Sequence, residues 1–191
     1  MANAAYRELN PPQRILLGPG PSNVHPRVTQ ALTAPIVGYM DPYFFQVMDE
    51  TMELMRQVFK TRNEATLPIS GTGSAGMETV VCNALEPGDT IVVGCHGYFG
   101  ERIAEMASRC GAKVVKVEAE WGRAIEPDAI KAALNKQGKV KALALVHAET
   151  STGAQQPLAE ASRLAKEHDA LFIVDTVTSL GGIDVDVDGL G

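Results

Sequence analysis

The chain has 191 residues, 45% hydrophobic and 21% charged, enough apolar material for a sizeable buried core and too much for a globally disordered chain. Its 23 acidic against 17 basic residues leave a formal charge of −6, which argues against a general nucleic-acid binder, since that needs a basic surface to neutralise phosphates. No apolar run approaches the ~18–20 residues of a membrane span, and the three cysteines, Cys82, Cys95 and Cys110, lack CxxC spacing and read as small buried thiols rather than a disulfide framework or a zinc site.

Residues 1–14 are polar or small, lack the apolar core of a secretory signal and read as a flexible arm. Two Gly-Pro pairs in Gly18-Pro19-Gly20-Pro21 then exclude a helix and predict a turn-rich segment. Apolar residues at 44, 45, 48, 52, 55, 58 and 59 have helical spacing, and Asp41-Pro42 suits the start of that helix. From residue 65 onward short apolar runs alternate with amphipathic stretches. Strands are predicted over 65–69, 90–94, 113–117, 141–147 and 170–175, and helices over 74–85, 99–110, 127–134 and 158–167. Runs such as Ile91-Val92-Val93 and Leu171-Phe172-Ile173-Val174 are apolar without alternating, as in strands covered on both faces. The order predicts an α/β fold with a mostly parallel sheet and helices on both faces. In such sheets ligands sit at the carboxyl ends of the strands, so the residues just after each strand are the candidates for chemistry.

Ser70-Gly71-Thr72-Gly73-Ser74-Ala75-Gly76 lies between a predicted strand and a predicted helix. Glycines admit an anion close to the backbone, the N–H groups opening the helix attract it, and Thr72 and Ser74 add hydroxyl donors. The same segment also reads as a plain turn with Ser74 as N-cap. Gly71, Gly73 and Gly76 match GxGxxG, but the next strand ends in Gly94-Cys95-His96, without the acid a dinucleotide site places there. In His96-Gly97-Tyr98-Phe99-Gly100 an aromatic between glycines suits either stacking on a flat ring or packing in the core. In His147-Ala148-Glu149-Thr150-Ser151-Thr152-Gly153, short polar residues suit hydrogen bonding to a ligand, whereas His147 and Glu149 lack a third ligand at a useful spacing and predict no metal. Asp175 ends an apolar strand, where a carboxylate needs a partner; capping the next segment and pairing with a cationic ring nitrogen both answer that need.

These stretches, together with Leu16-Leu17-Gly18-Pro19-Gly20-Pro21-Ser22-Asn23, Leu85-Glu86-Pro87-Gly88-Asp89, Gly97-Tyr98-Phe99-Gly100-Glu101-Arg102 and Val174-Asp175-Thr176-Val177-Thr178-Ser179-Leu180-Gly181-Gly182, occur in an order that resembles the class V aminotransferases of the fold-type-I superfamily, in particular the alanine–glyoxylate and serine–pyruvate aminotransferase group. The resemblance implies that residues 15–191 are an N-terminal arm segment and most of a large domain of the pyridoxal-phosphate transferase fold, with a small C-terminal domain outside this chain. It implies that Thr72, Gly73 and Ser74 hold the phosphate of pyridoxal 5'-phosphate, that Phe99 stacks on its ring, that Thr150 bonds near the ring hydroxyl, and that Asp175 pairs with the ring nitrogen. Gly18, Pro19 and Gly20 would line the substrate entrance.

The resemblance further implies transamination from alanine or serine to glyoxylate, giving glycine, with an amino acid and a 2-oxo acid as partners in a homodimer. The Schiff-base lysine of this family would lie about ten residues beyond Gly191. None of Lys60, Lys113, Lys116, Lys131, Lys136, Lys139, Lys141 and Lys166 follows the Asp175 strand, so the chain alone is expected to be inactive. The carboxylate-gripping arginine is expected in the small domain. Cytoplasm is the default address; a peroxisomal or mitochondrial one is the eukaryotic alternative. Rival readings are a ureidoglycine–glyoxylate transaminase, an NAD-dependent oxidoreductase resting on the glycine motif, and a non-catalytic anion-binding half-domain.

Overall fold

The computed structural model describes residues 9–191. The chain divides into two compact units, Met1–Val37 and Gly38–Gly191. Of the arm expected over 1–14, residues 1–8 lie outside the described residues, and residues 9–14 are exposed without regular structure. In the first unit the Asn23 side chain accepts from Leu16 N–H at 2.8 Å and donates to the Arg14 carbonyl at 2.8 Å, closing the turn-rich segment. Helix α1, Pro26–Ala31, follows; the sequence reading missed this short helix, which His25 caps by accepting from Arg27 N–H through Nδ1.

The second unit opens with helix α2, Pro42–Phe59. Asp41 caps it, accepting from Tyr43 N–H at 2.8 Å, Pro42 supplies the preset first turn, and Lys60 ends it in the left-handed region at φ 52°. Helix α3 (Gly73–Ala84), strand β1 (Thr90–Cys95), helix α4 (Tyr98–Arg109), strand β2 (Lys113–Glu118), helix α5 (Pro127–Lys136) and strand β3 (Ala142–Val146) come next. A small hairpin, β4 (Ala148–Glu149) with β5 (Ala154–Gln155), leads to helix α6 (Ala159–Glu167), strand β6 (Leu171–Asp175) and the short helix α7 (Val187–Leu190). The main sheet has four strands in the order β2-β1-β3-β6, all parallel.

Alternate strand residues feed two cores, as the two-residue period of a strand requires. Ile91, Val93, Ala142, Ala144 and Val146 pack with Val81 of α3 and with Ile103, Ala104 and Ala107 of α4. Val92, Val117, Leu143 and Leu145 pack on the opposite face with Ile130 and Leu134 of α5 and with Ala161, Leu164 and Ala165 of α6. The predicted parallel α/β sheet with helices on both faces is what is observed.

Two expectations need correction. Residues 65–69 form no strand. A strand exists by pairing, no neighbour is in ladder register with this segment among the described residues, and Pro68 lacks the N–H a ladder needs. Strand β6 is present but is not buried on both sides: Leu171 is 49% exposed and the rest of the strand is half-buried, because β6 is an edge of the sheet.

Candidate active site

The strand order has one reversal. From β1 the chain goes through α4 to β2 on one side, then crosses through α5 to β3 on the other side of β1. At such a switch point the loops leaving two neighbouring strands diverge and leave a crevice at their carboxyl ends. The loops in question are residues 96–97 after β1 and the β4–β5 hairpin after β3. Beside them, Asp175 ends β6 opposite Val146, and the Asp175 carbonyl accepts from His147 N–H at 2.9 Å.

A cavity of about 210 Å³ lies there, lined by Thr72, Gly73, Ser74, Met77, Phe99, Val146, Thr150, Asp175 and Val177. Every predicted cofactor-binding residue is among them. Thr72 is the N-cap of α3, correcting the reading of Ser74 as the cap, and its hydroxyl makes no capping bond. The N–H groups of Gly73 and Ser74, in the first turn, have no intrahelical acceptor. The α3 terminus therefore presents two hydroxyls and free N–H groups with the positive end of the helix dipole, which is an anion cradle. A side chain at Gly71 would place its Cβ 2.7 Å from Ala75 Cβ, so only glycine fits the approach to the cradle. By contrast a Cβ at Gly76 would meet nothing within 4 Å. The third glycine of a dinucleotide fingerprint serves close packing of helix on strand, and Gly76 has no such contact.

Asp175 is half-buried. One of its oxygens accepts from Val177 N–H at 2.9 Å, and the other has no protein partner among the described residues. Burial pushes its carboxyl above the ordinary carboxylate range; the Val177 N–H works against this, and the Glu149 charge adds to it. A cationic donor brought to the free oxygen would reverse the penalty.

Glu149 has a structural part that its spacing from His147 does not suggest. It is fully buried and its carboxylate meets four donors: Ser151 N–H at 3.1 Å and Ser151 hydroxyl at 2.6 Å on one oxygen, Phe99 N–H at 3.1 Å and Gly100 N–H at 3.4 Å on the other. It thus caps α4 from another loop and ties Phe99 to the hairpin that carries Thr150. Gly97 makes room for it, since a Cβ there would lie 2.3 Å from Glu149 Cγ. The only sequence signal was an acid inside an otherwise apolar and small run. The Thr150 hydroxyl bonds that of Thr178, joining the hairpin to the segment after β6. His96 and His147 are buried; His96 Nε2 donates to the Val146 carbonyl at 3.2 Å, and burial keeps His147 below the ordinary histidine range.

No lysine lines the cavity. Lys60 pairs with Asp184, Lys116 with Glu101, and Lys166 donates to the Leu190 carbonyl. Gly18, Pro19 and Gly20 lie in the first unit, as exposed bends.

An anion cradle, an aromatic ring, a hydroxyl and a carboxylate with an open oxygen around one small cavity suit a flat, cationic, phosphorylated ligand. Comparison with known proteins agrees. The family model for aminotransferase class-V matches residues 23–191. The chain is 43% identical over 182 residues to the (S)-ureidoglycine–glyoxylate transaminase of Bacillus subtilis, covering 95% of this chain and 44% of that protein. It is 42% identical over 179 residues to the alanine–glyoxylate aminotransferase of Drosophila melanogaster, covering 93% and 45%. The crystal structure of the alanine–glyoxylate aminotransferase of Nostoc sp. superposes with a TM-score of 0.94 at 47% identity, covering 98% of this chain and 50% of that one. The chain spans about half the length of the curated relatives it matches. With this coverage, and with the α3 cradle, Phe99 and Asp175 around one cavity, the chain belongs to the class-V aminotransferases.

Proposed function

We propose that this chain supplies the cofactor cradle of a pyridoxal 5'-phosphate-dependent aminotransferase that moves an amino group from alanine or serine to glyoxylate, giving glycine. The observation that carries the reading is the single cavity shared by Thr72, Gly73, Ser74, Phe99, Thr150 and Asp175. Bound there, the cofactor supplies an electron sink for the substrate α-carbon. The Thr72 and Ser74 hydroxyls and the free N–H groups of α3 hold its phosphate. Phe99 covers one face of the ring and excludes water from it. Thr150 donates or accepts at the ring hydroxyl. The open oxygen of Asp175 accepts the ring N–H and, being negative, keeps the proton on that nitrogen.

By resemblance to the family, Gly18, Pro19 and Gly20 belong to the substrate entrance, and residues 15–191 comprise an N-terminal arm segment and most of the large domain. The lysine that exchanges the α-proton and the arginine that holds the substrate carboxylate come from the remaining part of the protein, so the chain alone does not turn over. The complete protein works as a homodimer, with a cytoplasmic address. Dimerisation is supported by the stripe Tyr43, Val47, Leu54 and Val58 on α2, spaced as one helix face and 41–61% exposed.

The Bacillus subtilis relative favours a second reading, with ureidoglycine as amino donor. The discriminating experiment is a steady-state assay of the complete protein with glyoxylate and alanine, serine or ureidoglycine in turn. The first reading expects alanine or serine to give a kcat/KM at least ten-fold above ureidoglycine; the reverse ratio establishes the second reading. No glycine from any donor rejects both.

A further inference from the structure

Helices α3 and α4 lie side by side on one face of the sheet. Both begin at the carboxyl edge, at the cavity, and both run to the opposite edge. Cys82 sits in the last turn of α3 and Cys110 is the C-cap of α4. Their sulfurs are 2.9 Å apart. Cys82 is exposed and Cys110 is half-buried, which corrects the reading of the cysteines as uniformly buried thiols and gives a reagent access to one of the pair. A disulfide bond is about 2.04 Å long, so bonding needs a closure of only about 1 Å. Cys95 provides an internal contrast: it is buried, and its thiol is pushed up to about 12, chiefly by burial.

We propose that Cys82 and Cys110 are an oxidation site, cross-linked to each other by small-molecule disulfides. The Cys82 thiolate attacks one sulfur of the reagent, the reagent S–S bond breaks, and one reagent thiol leaves. The Cys110 sulfur, having lost its proton, attacks Cys82 in this mixed disulfide and expels the second reagent thiol. Two protein thiols are oxidised, one disulfide is reduced to two thiols, and the two protein protons leave with them. In the reduced pair the hydrogen bond to Cys82 and burial raise the Cys110 thiol to about 11, so Cys110 keeps its proton and the first attack is assigned to the exposed Cys82. The cross-link closes the chain between positions 28 apart, including β1, and fastens together the far ends of the two helices whose first turns carry the cradle and Phe99. It restricts the unfolded chain and raises Tm.

The test treats the complete, folded protein with one equivalent of 5,5'-dithiobis(2-nitrobenzoate) per chain, blocks remaining thiols, and digests with trypsin. The expected products are two equivalents of thionitrobenzoate and a linked pair of peptides 63–102 and 110–113, with tandem fragmentation placing the bond on Cys82 rather than Cys95. Cys110→Ser should release one equivalent and retain the mixed adduct on Cys82; Cys82→Ser should leave no linked pair. Continued protection of Cys95 in each variant reports that it is folded. A mixed adduct persisting on Cys82 in the unsubstituted protein, separate blocked peptides, or a bond from Cys110 to Cys95 overturns the proposal.

Discussion

Two carboxylates, one strand-end and one hairpin, do different work because their surroundings differ. Glu149 is fully buried yet has four donors on its two oxygens, and those bonds hold α4 against the hairpin. Asp175 has one donor and an open oxygen, and burial raises its carboxyl above the ordinary range. A folded pKa above the unfolded one means that the folded state holds the proton more tightly. The ionised form therefore opposes folding in full above the folded pKa, and this penalty disappears as pH falls through that value to the unfolded one. Asp175→Asn in the cofactor-free complete protein should raise Tm at pH 7, with the gain shrinking as pH drops into the carboxylate range, read by calorimetry across pH. The same substitution should lower kcat by at least about 10²-fold, the usual cost of losing one preorganised electrostatic contact.

At the scale of elements, the site depends on how closely α4 rests on β1. Gly100 is the contact: a Cβ there would lie 2.5 Å from the Gly94 carbonyl oxygen and 2.9 Å from Cys95 Cα, both backbone atoms that cannot step aside. Alanine would add about 1 kcal/mol of helix propensity. Forcing α4 off the sheet costs about 1–3 kcal/mol, and the clash is with backbone, so the loss prevails. Gly100→Ala should lower the urea midpoint by an amount equivalent to up to about 2 kcal/mol. Because Phe99 precedes Gly100 on the same turn, it should also weaken pyridoxal phosphate binding about ten-fold, measured by fluorescence titration. The β4–β5 hairpin is the complementary element, since Ser151 accepts from Tyr98 N–H at 2.9 Å and so fixes the start of α4 from the other side.

Across the whole molecule, the described residues leave apolar surfaces that their own packing does not cover. Strand β6 is a sheet edge beside a groove of about 530 Å³ that includes Phe59, Met77, Val80, Ile103 and Phe172. Helix α2 exposes Leu54 at 61% and Val58 at 53%. Apolar stripes of this kind mark interfaces. On the proposed homodimer, Leu54→Glu in the complete protein should raise the dimer dissociation constant at least ten-fold, about 1.4 kcal/mol, in sedimentation equilibrium. An unchanged constant would remove α2 from the interface.

Local order carries its own signature in a chain. Buried parallel strands read as Ile91-Val92-Val93 and Leu143-Ala144-Leu145 because both faces are covered, and the helix starting after Asp41-Pro42 reads from its cap and its period. Thr72, Ser74, Phe99, Thr150 and Asp175 were nameable for the same reason: each follows a strand or opens a helix, where open α/β sheets place ligands. Other facts are relations between distant residues and have no local trace. Pairing decides whether 65–69 is a strand, and this segment has no ladder partner among the described residues. Which strands adjoin decides that β1 and β3 flank the crevice. That Glu149 serves Phe99 across 50 positions, and that Cys82 meets Cys110, follows from packing alone, because side chains find partners through space and not along the chain.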